Sequence, residues 1–306
     1  MMNALEAFLQ ATVAAGTTYL LATLGEILTE RSGVQNLGVE GMMIVGAVVG
    51  FAVTHTSGNV WLGVFIAAFT SGILGGIQAF VCVTLQQNQI VSGLAMTMLG
   101  MGISGLLGKA YVGLPLSTKL FRYSLPFLSD IPVLGPFLFN HDPLTYLSMI
   151  LVAVLWYFLF RTRGGIIIRS VGENPEAVDA LGISVERTRY VCTILGGVII
   201  GLAGAYLSLF YTPAWSEGMT GGKGWIVVGL TIFSMWSPRR ALFGAYLFGG
   251  VEVLQYRLQP LGISPSLLAA LPYFVTIVAL MFGASERMKR RIGAPSALGR
   301  PYKRGD

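Results

Sequence analysis

Long apolar runs separated by short polar or Pro/Gly breaks set the pattern of this chain, at about 5–28, 34–53, 60–85, 89–112, 143–160, 190–212, 225–236, 241–257 and 265–283. None has the two-residue alternation of a barrel strand, and about 20 apolar residues are what a helix needs to cross roughly 30 Å of hydrocarbon. The pattern predicts an all-α fold, a polytopic membrane bundle forming one transmembrane domain over 1–306, with about nine segments. The seventh run, Trp225 to Trp236, rises only about 18 Å as a helix. It is expected to be tilted, broken or re-entrant.

Composition strengthens this reading. Apolar residues make up 54% of the chain and charged residues 11%, too little polar surface to cover a globule in water. Cys82 and Cys192 both lie in apolar runs and read as small packed hydrophobes. The first basic residue is Arg31, so no positive leader region precedes the first run, which is expected to remain in the mature protein. Charge then orients the bundle. With the N-terminus outside and the C-terminus in the cytoplasm, 15 of the 20 basic residues lie inside; Lys109, Lys119, Arg122, Lys223 and Arg257 lie outside. This N-out, C-in arrangement obeys the positive-inside rule, and its inverse breaks it. The net charge of +6 owes much to a basic cytoplasmic tail over 284–306, which is expected to fix topology and touch anionic lipid rather than nucleic acid.

Forty glycines, many inside the runs at spacings of four (Gly46 and Gly50, Gly72 and Gly76, Gly197 and Gly201), predict close helix–helix approach. Charges inside the runs point further. Glu26 and Lys109 stand near the ends of their runs, whereas Glu40 and Glu252 stand deeper and need partners or water. Gln35, Asn36 and Glu40 near the start of the second run, with Gln78, Thr97 and Glu252, are the candidates for a polar path. Structural hydrogen bonding is the competing reading for Glu40 and Glu252.

Gly221-Gly222-Lys223-Gly224 lacks the first glycine and the hydroxyl of a phosphate-binding loop, so this chain is not expected to cradle ATP. With only His55 and His141, it also lacks the metal and serine-hydrolase signatures, and no catalytic residue, cofactor or metal is assigned to it. A transport protein without catalysis of its own is the leading reading. An ion-coupled carrier or channel, with Glu40 and Glu252 as ion sites, is the alternative.

The segment 161–189 is the longest internal loop. Within it Asn174 reads as an N-cap, Pro175 as the first helical residue and Gly182 as the terminator of a two-turn helix too polar to enter the bilayer. Its GENPEAVDALGIS resembles the coupling segment of permease subunits in ABC importers for ribose-like sugars, nucleosides and branched-chain amino acids. The block LGEILTERSGVQNLGVEGMMIVGA, residues 24–47, resembles the branch that works with lipoprotein-type nucleoside receptors. The block GGKGWIVVGLTIFSMWSPRRALFGAYLFGG, residues 221–250, resembles a third stretch of the family, except that Trp236 stands where a smaller residue is usual.

The resemblance implies a multi-pass protein of the bacterial inner membrane that forms the path for a small polar solute. It implies that Glu173, Asn174, Pro175, Glu176, Ala177, Ala180, Leu181, Gly182 and Ile183 dock on a separate cytoplasmic ABC ATPase, which uses the ATP and magnesium. Further implied partners are a second permease subunit, most often an unlike one, and an extracytoplasmic lipoprotein or periplasmic solute-binding protein touching the Pro-rich loop from Gly113 to Asp142.

Overall fold

The computed structural model of the protein describes residues 4–116, 123–124, 135, 137, 139–283 and 294–303. Along the chain these form α1 (Ala4–Arg31), α2 (Val39–Ser57), α3 (Val60–Ala79, prolonged by a π-helical turn Phe80–Thr84) and α4 (Gln89–Gly108, ending in the tight turn Lys109–Tyr111). Two short strands follow, β1 (Tyr123–Ser124) and β2 (Asn140–His141), paired antiparallel with Tyr123 opposite His141. Then come α5 (Pro143–Arg161), α6 (Arg163–Glu173), α7 (Pro175–Ala180), α8 (Val185–Tyr206, prolonged by a π-helical turn Leu207–Tyr211), α9 (Lys223–Phe233), α10 (Pro238–Leu258), α11 (Pro265–Ala269) and α12 (Leu271–Gly283).

The polar breaks in the sequence are where helices start, because they carry the caps. Asn59, Asn88, Asp142 and Ser184 each accept from backbone N–H groups in the first turn of α3, α4, α5 and α8. Among the described residues, six helices are long and apolar enough to cross a membrane: α1, α2, α3, α4, α5 and α8. α9 has 11 residues, in keeping with the short seventh run. α10 has the length, 21 residues, but carries Arg239, Arg240, Glu252 and Arg257. The ninth run is broken: α11 and α12 are separated at Ala270.

Two helix starts differ most from the expected ones. The second helix begins at Val39 rather than near 34, because the side chain of Asn36 accepts from the N–H of Gly38 and turns the chain before α2. The sixth run begins at Val185 rather than 190, since Ser184 caps α8 and the exposed first turn carries Glu186 and Arg187. Glu40 consequently sits in the first turn of its helix.

α1, α2 and α8 are the centre of the bundle. About 67–72% of their most apolar windows is buried, against 28% for α4 and 33% for α5, which therefore lie on its outside. The small-residue spacings explain the tight middle. A Cβ added to Gly46 on α2 would stand 2.8 Å from the carbonyl oxygen of Gly201 on α8, and one added to Gly201 would stand 2.7 Å from the carbonyl oxygen of Ala67 on α3. Backbone-to-backbone approach of this kind supplies dispersion contacts where lipid removes most of the hydrophobic driving force.

Residues 294–303 return to the end of the bundle that carries α7. The N–H of Ala297 donates to the carbonyl of Gly172 at 2.9 Å, that of Gly299 to Gly33 at 3.3 Å, and the Arg189 guanidinium to the carbonyl of Arg300 at 3.2 Å. Of the expected tail, 284–293 and 304–306 lie outside the described residues. The part that is described packs on protein, with Ala297 buried.

Candidate functional site

The turn that opens α9 gathers the two deep glutamates. Glu40 accepts from the Thr220 hydroxyl at 2.6 Å, the Gly222 N–H at 2.9 Å and the Gly224 N–H at 2.6 Å. It thereby satisfies donors that a helix start leaves orphaned and places a negative charge at the positive end of α9. Gly222 adopts a φ of +82°, a left-handed conformation that glycine reaches without strain, and this aims the N–H groups at the carboxylate. Between those two glycines, Lys223 sends its ammonium the other way, to Glu252 on α10 at 2.5 Å. Glu252 also accepts from the hydroxyls of Tyr19 at 2.8 Å and Tyr211 at 3.3 Å, and Lys223 donates to Tyr19 at 3.3 Å. A buried pair survives only with such additional bonds, since either charge alone costs several kcal/mol.

The Lys223–Glu252 pair lines a cavity of about 250 Å³, with Tyr19, Gln255, Tyr256 and Tyr273 on its wall. Of the six path residues expected from sequence, Glu252 is the one that reaches this cavity. Asn36 donates to Glu26 at 3.1 Å and is buried; the Gln35 backbone N–H donates to the Gln89 side-chain oxygen at 2.7 Å. Gln78 accepts from Ser92 at 2.9 Å between α3 and α4, and Thr97 donates to the Leu37 carbonyl at 3.0 Å. These four tie helices and turns to one another, apart from the Glu252 cluster.

At the opposite functional locus, the expected two-turn helix is α7. Its cap is Asn174, which accepts from the Ala177 N–H at 3.0 Å, Pro175 is its first residue, and Gly182 follows it with a φ of +79°. Glu173, Asn174, Glu176, Ala177, Ala180, Leu181 and Gly182 are exposed, with Pro175 and Ile183 half-buried. Leu181 is 78% exposed, an unusual position for leucine. Val178 alone is turned inward, packing with Val171, Val185, Ile167, Ile183 and Tyr302. The segment before it is not a plain loop: α6 is a second helix, and Ser296 of the returning chain donates to Glu173 at 2.8 Å. α6 escaped the apolar-run reading because it is amphipathic, with Arg163 and Arg169 breaking the run.

Other contacts are not legible in the sequence, where Lys223 reads as a basic residue outside the membrane and as part of an incomplete phosphate loop. Glu30 binds the Trp236 indole N–H at 2.5 Å, while Arg31 donates to the carbonyls of Met235 at 3.3 Å and Trp236 at 3.1 Å. Met235 and Trp236 have φ of +53° and +51°, so a strained left-handed pair that ends α9 is held by the foot of α1. This settles the role of the unusual Trp236: it is an anchor of the turn between α9 and α10. The available signal for the pair was charge balance, since Lys223 stands just ahead of the seventh run and Glu252 inside the eighth, with opposite charges.

Comparison with known proteins agrees with this architecture. A family model described as "Branched-chain amino acid transport system / permease component" matches residues 8–281. A putative glucose ABC transporter permease protein of Haloferax volcanii is 40% identical over 97% of this chain and 97% of its own. The guanosine ABC transporter permease protein NupQ of Bacillus subtilis is 32% identical over 96% of each chain. A second guanosine permease protein of that organism, NupP, is 26% identical over 78% of this chain and 70% of its own. No solved structure matches the chain. With its apolar helical bundle and this match over nearly its whole length, the chain belongs to the permease-component family of the branched-chain amino acid transport system and is a multi-pass membrane protein.

Proposed function

We propose that this permease is the membrane-spanning subunit of an ATP-driven ABC importer for a small polar solute, a nucleoside or a simple sugar. The relatives named for glucose and guanosine support the solute class. The observation that carries the coupling role is α7, a capped helix whose polar acids and Leu181 project from the bundle while Val178 alone roots it. An exposed leucine among acids at the tip of a rooted helix suits the cleft of a protein partner.

In this reading α7 and the residues 294–303 lying against it form the docking face for a separate cytoplasmic ATPase. ATP and magnesium belong to that subunit. Its nucleotide cycle favours one state of the permease over the other, which is the thermodynamic condition for driving transport. Arg31, Arg161, Arg169, Arg239 and Arg240 gather at the same end, some over the rings of Trp156 and Phe160, which supports a cytoplasmic position for it by the positive-inside rule. Similarity to both NupQ and NupP of one organism supports an unlike second permease as partner. A lipoprotein or periplasmic receptor delivers the solute at the other end; most of the Pro-rich loop expected to meet it lies outside the described residues.

The test is uptake by proteoliposomes holding the full transporter. Glu176→Arg and deletion of Ala177 to Leu181 are expected to abolish ATP-driven uptake while membrane insertion persists. Unchanged uptake removes the coupling role, and uptake that needs no ATPase but collapses with the proton gradient replaces the importer by an ion-coupled carrier.

A further inference from the structure

The cavity beside Lys223 and Glu252 has hydrogen-bonding capacity that the bundle itself does not consume. One Glu252 oxygen takes the Lys223 ammonium and the Tyr19 hydroxyl, while the other has a single bond from Tyr211 at 3.3 Å, so it has room for another donor. The Lys223 ammonium has three protons and two partners, Glu252 and Tyr19, which leaves one proton to give. On the same wall, the side chains of Gln255 and Tyr256 have no hydrogen-bond partner among the described residues. A pair serving only to staple α9 to α10 would be enclosed. Here the lysine side chain keeps 14% of its surface, and the cavity reaches past it to Tyr256 and Tyr273, both exposed.

A spare acceptor beside a spare donor, within one ion pair, is the complement of two hydroxyls on neighbouring ring carbons. One hydroxyl donates to the carboxylate; its neighbour accepts from the ammonium. Both bonds are charge-assisted and short-range, hence strong and orientation-setting. The pair is neutral as a unit, so an anionic solute gains no net attraction and loses its hydration, which disfavours phosphorylated sugars and nucleotides. Tyrosine rings around the pair offer flat apolar faces to the ring bearing those hydroxyls. The volume of about 250 Å³ suits one such ring with its substituents and lies near the small end of ligand pockets. Vicinal hydroxyls on a saturated ring are also what glucose and guanosine, the solutes in the names of two relatives, have in common.

We propose that this cavity is a vicinal-diol subsite on the solute path, taking the ribose of a nucleoside or the ring of a free sugar, with Glu252 as acceptor, Lys223 as donor and Gln255 as a further contact. It deepens the importer reading and rests on it only in that the solute is taken to pass this face.

The experiment uses Gln255→Cys in proteoliposomes holding the full transporter and follows the rate of maleimide labelling; Cys82 and Cys192 are buried and free. Guanosine or glucose at about ten times its dissociation constant is expected to slow labelling about tenfold, because a site occupied to that extent is open for only about a tenth of the time. The matched compounds without a ring diol, 2′,3′-dideoxyguanosine and 2,3-dideoxyglucose, are expected to give no protection, because a site built to bond hydroxyls rejects analogues lacking them. The double variant Lys223→Met/Glu252→Gln, which removes both charges at similar volume, is expected to lose protection when combined with Gln255→Cys while labelling itself persists. Equal protection by the dideoxy compounds, protection retained in the double variant, or no protection by any probe overturns the subsite. Protection without ATP-driven uptake overturns the importer reading and leaves the subsite standing; ATP-driven uptake without protection does the reverse.

Discussion

Glu40 and Glu252 are both carboxylates buried in the helical bundle, both meet the turn at Gly222–Gly224, and yet they do different things. Glu40 binds the backbone of that turn and the Thr220 hydroxyl, with each of its two oxygens taken at 2.6 Å. Glu252 binds the side chain between the two glycines and faces a cavity with one oxygen lightly used. A carboxylate saturated by fixed backbone donors is a structural cap. One that shares a partly exposed ammonium beside open volume can exchange partners. The difference teaches that depth and charge, which make both residues conspicuous in the sequence, do not separate a cap from a contact; the geometry of their donors does.

This contrast can be broken experimentally, and the largest expected effect is on the closed side. Glu40→Ala leaves two N–H groups and a hydroxyl buried without an acceptor, a loss of about 3–5 kcal/mol, and should appear as failure to recover monodisperse permease in detergent. Next, Glu252→Gln leaves the Lys223 ammonium without its counter-charge; thermal melting should fall by the equivalent of roughly 2–3 kcal/mol, and Lys223→Met in the same chain should recover much of it. Recovery would mark a coupled pair, whereas additive losses would mean the two act separately. Smaller again is Gly224→Ala. Its new Cβ would come 2.5 Å from the Glu40 N–H nitrogen, and about 1–3 kcal/mol of overpacking should lower the melting temperature without touching labelling of the cavity. The mildest is Trp236→Phe, which removes the indole bond to Glu30 but keeps most of the ring volume, for about 1–2 kcal/mol in the same melting assay.

Much of the fold was legible because a membrane span is a local property. The runs at 60–85 and 89–112 correspond to α3 and α4 with their terminal turns within a residue, since Asn59 and Asn88 are both breaks in hydropathy and caps. α7 was legible residue by residue, because capping by Asn174, the fixed φ of Pro175 and the left-handed freedom of Gly182 act within a single turn. α6 was hidden by its two arginines, whereas the break at Ala270 had a signal in Pro272, which suits the first turn of α12 inside a run that otherwise reads as one segment. The candidate site divided along the same line. Glu252 could be named from its position in a run, but its partners stand 29, 41 and 233 residues away in sequence.

By itself, then, the sequence determined that this protein is a helical membrane bundle with a capped helix outside the apolar runs, because hydropathy, caps and turn residues act over a few neighbouring positions. Only the tertiary structure decided that Lys223 pairs with Glu252, that Glu40 caps α9, that Glu30 and Arg31 hold the turn at Trp236, and that residues 294–303 lie against α7. Those pairings are chosen by which helices can approach closely enough, through contacts such as Gly46 against Gly201, and no run of neighbouring residues encodes a distance between two helices.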